Sequence, residues 1–266
     1  MTNLGRNLFM GVVALILAAP LLVVAGVSLN AEKRLLFPPK GLSLRWYLEL
    51  LTQSDWLNAV RNSLTVAVLA ALLTVSIAFP LAYFLWRHRV YYARILFGLG
   101  MVPFMLPPVI TALGFLVFWV NVGLYGSIVA TIVSHAIFLV TLPLVMISLG
   151  LESIDKQIVE AATTMGADDK VIFRTVVLPL VRPYLISGYA FAFVLSLNEY
   201  IVAYMVAGFT VETLPIKIFN SLRYGYTPVM AAVAVVFVLT AVVVFGLIAR
   251  FGNLPKLLGA WSPKET

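Results

Sequence analysis

Residues 182–212 read RPYLISGYAFAFVLSLNEYIVAYMVAGFTVE, and between the bounding charges Arg182 and Glu212 the only formal charge is Glu199. A helix needs about 20 apolar residues to cross a bilayer core. This run is long enough for one crossing, over about 184–208, with an acid at membrane depth. An ionisable group there is costly unless it is paired or wet, so by default it marks a solute pathway. Asn198, Tyr200 and Tyr204 stand beside it and join it as candidate pathway residues. The structural alternative is an ion pair, with His135 as one candidate partner.

Working outward, the other charge-free gaps supply the remaining crossings. Arg6 to Glu32 holds one at about 8–29, and Arg61 to Arg87 holds one at about 64–86. Arg94 to Glu152 is too long for a single helix. It breaks at the turn-rich segment Asn121-Val122-Gly123-Leu124-Tyr125-Gly126, giving spans at about 95–120 and 127–151. Arg223 to Arg250 holds the last, at about 229–249. The fold expected is all-α: a single polytopic membrane domain over 1–266 with six transmembrane helices and a cytoplasmic helix-turn-helix.

Composition agrees. The 266 residues are 62% hydrophobic and 11% charged, with mean hydropathy +1.03, against about 25% charged in ordinary soluble domains. Absence of cysteine excludes disulfides, thiolate chemistry and cysteine metal sites. The two histidines, His88 and His135, are far apart and show no metal-ligand spacing. The net charge of +7 fits cytoplasmic loops facing anionic lipid. It does not indicate nucleic acid, because no basic patch is interleaved with aromatics on a soluble domain.

Orientation follows the Lys/Arg bias. With both termini cytoplasmic, eleven basic residues lie inside and seven outside, and Arg87-His88-Arg89 with Lys256 and Lys264 strengthens the bias. The first span has signal-peptide features, with Arg6 before an apolar run and small residues at Ala18-Ala19, but its run exceeds the usual 7–15 residues or so. An uncleaved helix is expected. In the outside segment 30–63, Trp46 to Leu51 and Trp56 to Val60 look amphipathic. They suit either the lipid interface or a contact with a partner.

Residues 152–183 form the one cytoplasmic loop long enough to fold by itself. Ile158, Ala162 and Met165 share a helix face. Gly166 permits a left-handed turn, Asp168 is a good N-cap, and Pro179 should end the second helix near Val177. The Ala161-Ala162 pair lets another surface approach closely, and Glu160 offers an acceptor. The bland alternative is a solvated amphipathic loop.

The full spacing is Glu160-Ala161-Ala162, three residues, Gly166, nine residues, Val176, one residue, Leu178-Pro179. It resembles the EAA loop of ABC importer permeases, with Val176 where isoleucine is most typical. The whole chain is similar to permeases of the binding-protein-dependent (type I) importers, above all the second permease of spermidine/putrescine systems. The Trp46-Tyr47 segment, Leu197-Asn198-Glu199, Thr213-Leu214-Pro215-Ile216-Lys217-Ile218 and Thr227-Pro228 carry that likeness. Such permeases often have paired aspartates where Asn198-Glu199 stands here.

The resemblance implies a bacterial inner-membrane subunit that is not itself an enzyme. Its partners would be a homologous second permease, two ATPase subunits and a periplasmic solute-binding protein. Glu160, Ala161, Ala162, Gly166, Leu178 and Pro179 would form the ATPase-docking loop. The chain would hold no cofactor, with ATP and Mg bound by the partner subunits. No Gly-Lys dipeptide occurs in the chain, so it has no Walker A sequence. The implied solute is a small amine: putrescine, spermidine, or an amino acid such as γ-aminobutyrate.

Prolines mark candidate breaks. Phe104, Met105, Pro107 and Pro108 form a possible gate of broken helix, while Pro80 and Pro143 read more readily as packing kinks. His135, next to Ser134, reads as a hydrogen-bonded packing residue. The rival function is a self-sufficient secondary transporter or channel with Glu199 as its proton or cation site. Such a transporter needs no docking knob and shows internal repeats, of which none is evident. An intramembrane enzyme would need a nucleophile–base pair or metal cluster at membrane depth, and the sequence offers neither.

Overall fold

The computed structural model describes residues 3–88, 90–207, 209–224 and 227–251. The expectations that fall on Arg89, Gly208, Lys256, Lys264 and the C-terminus lie outside these residues. The described chain is helical. In order come α1 (Asn3–Ser28), α2 (Arg45–Thr52), α3 (Ser54–His88), α4 (Tyr91–Met105), α5 (Pro108–Val122), α6 (Ile128–Phe138) and α7 (Thr141–Glu152). Then follow α8 (Lys156–Thr164), α9 (Asp169–Ile172), a wide π turn (Phe173–Val177), α10 (Leu178–Asn198), α11 (Ile201–Ala207), α12 (Leu214–Tyr224) and α13 (Val229–Phe251).

By length and apolarity, α1, α3, the continuous helix from Asp169 to Asn198, and α13 are each able to cross a membrane. Two further crossings arise only if the bent pairs α4–α5 and α6–α7 each count as one. The spans expected at 95–120 and 127–151, where Pro107-Pro108 and Pro143 marked interruptions, are bent pairs, by 114° and 48° respectively. The span expected at 184–208 is broken too, after Asn198. Pro80, in contrast, lies inside an unbroken 35-residue α3. Trp56 to Val60 are the opening turns of α3, not a separate interfacial segment.

Local chemistry accounts for most helix ends. Pro108 opens α5, where its missing N–H costs nothing, and Gly123 closes it at φ +77°. Ser127 caps α6 by accepting from the Ala130 amide, and Asp155 caps α8 by accepting from that of Gln157. At the α6–α7 break, Pro143 removes the donor that would bond Leu139, and Thr141 instead donates from its hydroxyl to the Gly100 carbonyl at 2.7 Å.

The chain forms two compact units. Of the described residues, the first holds 3–61 and 213–241. Its core packs Trp46, Leu50, Trp56 and Ala59 with Leu214, Val229 and Val233. Asn30, fully buried, organises the connection after α1. Its side chain accepts from the amides of Glu32 and Lys40 and donates to the Arg34 carbonyl, and its own carbonyl accepts from Trp46 Nε1.

Of the described residues, the second unit holds 62–212 and 242–251, and it carries the site. Two apolar clusters lie within it. One gathers Ala78 and Ala82 of α3, Leu144, Ile147 and Leu151 of α7, Val159 of α8, Ile172, Val177, and Val181 and Tyr184 of α10, with Phe97 and Met101 of α4 against them. The other gathers Ala112 and Trp119 of α5, Ala130 of α6, and Val202 and Val206 of α11. All three chain breaks, after Met105, Phe138 and Asn198, separate the same two clusters. Each broken span contributes one half to each body.

Candidate functional site

The cassette at 152–183 folds as a knob whose turn is built as its residues dictate. α8 ends at Met165, and Gly166 takes φ +86°, a conformation that L side chains resist. Asp168 then caps α9, accepting from the Val171 amide at 2.7 Å. The inward face of α8 is Val159 with Ala162. The expected stripe of Ile158, Ala162 and Met165 is thus corrected. Met165 is 88% and Ile158 49% exposed, and with exposed Ala161 they form an outward apolar face beside exposed Glu160. A cleft of about 710 Å³ opens next to it, lined by Trp86, Phe97, Glu152, Lys156 and Glu160 among others.

Pro179 does not end the second helix, contrary to expectation. α9 runs through the π turn into α10 without a break. In the wide turn the Leu178 amide bonds back to the Phe173 carbonyl, five residues away. This change of ladder admits a proline one residue later, and Leu178 and Pro179 become the start of the long helix. The knob is tied back to α3 by an ion pair between Arg87 and Asp169 and by Phe173, whose ring packs on Phe79 and edge-on to Tyr83.

The second constellation surrounds the break between α10 and α11. The Glu199 side chain is only 8% exposed. Its Oε1 accepts from the Val202 amide at 2.9 Å and its Oε2 from the Ala203 amide at 3.0 Å. The carboxylate thus caps α11, satisfying donors that helix termini leave unpaired. His135 Nε2 lies 3.4 Å from Oε2, an ion-pair distance without hydrogen-bond geometry. Nδ1 of the same ring is 2.8 Å from Ser196 Oγ. His135 is therefore a hydrogen-bonded packing residue and a neighbour of Glu199 together. At the adjacent residue, Trp119 Nε1 donates to Ser134 Oγ at 2.7 Å.

The far end of α11 is clamped as well. The Gly126 amide donates to the Val206 carbonyl at 3.0 Å, and Thr210 Oγ1 donates to the Ala207 carbonyl at 2.7 Å and meets the Gly126 carbonyl. On the open side of the break, Asn198 is exposed and donates from Nδ2 to the Val194 carbonyl. Tyr200 and Tyr204, both half-buried, stack with ring centroids 5.4 Å apart. Phe104 and Met105 are 68% and 78% exposed at the end of α4. Pro107 supplies the carbonyl that accepts from Ile110 as α5 begins.

The structure therefore brings Asn198, Glu199, Tyr200 and Tyr204 together at one break, with Glu199 facing inward. The knob residues form a separate group. Sequence reasoning missed Ser196, Thr210 and the π turn. An acid two residues ahead of a helical run can accept from the unpaired amides of its first turn, and that signal was available for Glu199. Among the described residues no cluster of metal-ligating side chains occurs.

Comparison with known proteins gives a consistent picture. The family described as "Binding-protein-dependent transport system inner membrane component" matches residues 75–253. The spermidine/putrescine transport system permease protein PotC of Haemophilus influenzae is 31% identical over 93% of this chain and 97% of its own length. The putrescine transport system permease protein PotI of Escherichia coli is 33% identical over 88% and 85%. Among solved structures, a bacterial ABC transporter involved in the import of the acidic polysaccharide alginate superposes with TM-score 0.69 at 17% identity, covering 93% of this chain and 95% of that one. The MetNI methionine ABC transporter does so with TM-score 0.64 at 18% identity, covering 83% and 100%.

Proposed function

Because the chain belongs to the family of binding-protein-dependent transport system inner membrane components, we propose that it works in an ATP-driven importer of a small amine. It is a multi-pass permease subunit of an ABC importer; the polyamine relatives, similar over most of the chain, support putrescine or spermidine as the solute class. An amino acid such as γ-aminobutyrate is the second choice, because the break carries one acid where polyamine permeases often carry two. The fold leaves the solute open, since a transporter of acidic polysaccharide shares it.

One observation carries the coupling role: the knob presents an outward face of Ile158, Ala161 and Met165 beside Glu160, pinned by the glycine turn. An apolar face on a polar loop is a protein-binding surface. In this reading, two ATPase subunits hold the importer's two permeases through such knobs. Movement of the knob passes along the unbroken helix from Asp169 to Asn198 into the larger cluster. The smaller cluster of α5, α6 and α11 tilts against it at the three breaks. Solute from a periplasmic binding protein passes near Asn198, Tyr200 and Tyr204, with Phe104 to Pro108 as the gate. α1, α3, the two bent pairs, α10 with α11, and α13 make six crossings, with both ends cytoplasmic.

Native mass spectrometry of the gently solubilised complex tests the assembly. The expected mass is one copy of this chain, one second permease and two ATPase copies. A transport-competent assembly of this chain alone would overturn the reading.

A further inference from the structure

From the geometry at the break we infer that Glu199 is a positioning residue for α11 and its tyrosines, held from behind by His135 and Ser196, and is not the counter-ion of the passing solute. The inference rests on the transport reading above and deepens it.

Three observations converge. First, both carboxylate oxygens are engaged, one on the Val202 amide and one on the Ala203 amide, and the side chain is 8% exposed. A carboxylate that is to bind a passing ammonium needs an open face, and this one is turned into the protein. Second, the group behind it is built to keep it there. His135 is 1% exposed, 3.4 Å from Oε2, and its other ring nitrogen meets Ser196, itself on α10. The chain Ser196–His135–Glu199 thus links α10, α6 and the start of α11. Third, α11 is only seven residues long, too short to be stable without tertiary support. Its far end is already clamped by Gly126 and Thr210. Glu199 is the clamp at the near end.

The consequence concerns recognition. Tyr200 and Tyr204 flank the first turn of α11, so their placement follows the cap. A solute at this break meets aromatic faces and the exposed Asn198 amide. Aromatic faces attract ammonium groups through the ring quadrupole, and they also admit solutes with less charge. A single acid at this place is therefore compatible with amine transport without any ion pair to the solute.

The test uses the full importer purified with its partner subunits in proteoliposomes. This chain has no cysteine, so Val206→Cys, fully buried on α11, reports exposure of that helix. Maleimide labelling of the Val206→Cys peptide is followed by mass spectrometry. Glu199→Gln added to Val206→Cys should speed labelling about tenfold, a loss typical of a removed charged cap. Ser196→Ala, away from the solute, should shift it in the same direction by less. Putrescine uptake per assembled complex should fall with the labelling change. ATP hydrolysed per putrescine moved should rise, which a mere loss of assembled complex would not produce. Unchanged labelling in Glu199→Gln with reduced uptake would overturn the inference and make Glu199 a solute counter-ion. Faster labelling with undiminished uptake would overturn it too. If the parent importer moves no putrescine, the polyamine reading fails, while the labelling comparison still decides the role of Glu199. Should Glu199→Gln not assemble, Ser196→Ala carries the comparison, and labelling equal to that of the parent would overturn it.

Discussion

Gly166→Val is expected to abolish solute-stimulated ATP hydrolysis by the importer while leaving membrane insertion of this chain intact. At φ +86° a β-branched residue is strongly disfavoured, and a non-glycine residue in this region costs about 1–3 kcal/mol. A Cβ at this position meets nothing within 4 Å, so the penalty is one of backbone alone. Nothing nearby resists a compensating change of φ, and that change swings α8 relative to α9. The outward face of Ile158, Ala161 and Met165, with Glu160, then leaves the place where a partner surface expects it. Gly166→Asn is the control. Asparagine tolerates the left-handed region, so this variant should keep most of the stimulation although it too adds a side chain. ATPase assays with and without the loaded binding protein make the comparison. Undiminished stimulation in the valine variant would mean that the knob is not the coupling element.

Much of this architecture was legible because charge is so unwelcome in hydrocarbon. The gaps between Arg, Lys, Asp and Glu marked out the long apolar stretches, and the glycines at 123 and 126 marked the turn between α5 and α6. What the gaps could not reveal is where a helix breaks inside apolar sequence. The break after Met105 was signalled by Pro107-Pro108. The one after Phe138 was signalled only indirectly, by Pro143, whose missing donor acts four residues upstream. The break after Asn198 has no proline or glycine beside it. It exists because a side-chain carboxylate replaces the lost carbonyl partners of two amides, and that substitution depends on His135, distant in sequence, holding the acid in place. Pro179 misled in the opposite direction, since a π turn accommodates it. In α8 the periodicity correctly indicated an apolar stripe. Which stripe faces inward was decided by Val159 meeting the larger cluster, leaving Met165 outside.

The same dependence on distant neighbours makes Gly150 the position where one added carbon should do most damage to the fold. Gly150 lies in the last turn of α7, and a Cβ built there would come within 2.5 Å of Tyr184 Cγ and 2.6 Å of its Cδ2. These atoms belong to the root of a ring that is 7% exposed and held in the larger cluster, so they cannot swing away as the tip of a long side chain does. A second close approach lies along the same helix pair, where a Cβ on Gly188 would meet Pro143 at 3.3 Å. α7 and α10 are thus packed almost backbone to backbone. Gly150→Ala must push the two helices apart, at a cost of about 1–3 kcal/mol for overpacking, and Gly150→Val more. The expected result is a lower melting temperature of the solubilised complex for the alanine variant and loss of assembled complex for the valine variant. Tyr184→Ala alone should also destabilise, by about 3–5 kcal/mol for an emptied aromatic site. The double variant Gly150→Ala with Tyr184→Ala should be less destabilised than the sum of the two, because the added methyl enters the space that the ring has left. Strict additivity would show that the two residues do not meet, and that α7 and α10 are not held by this contact.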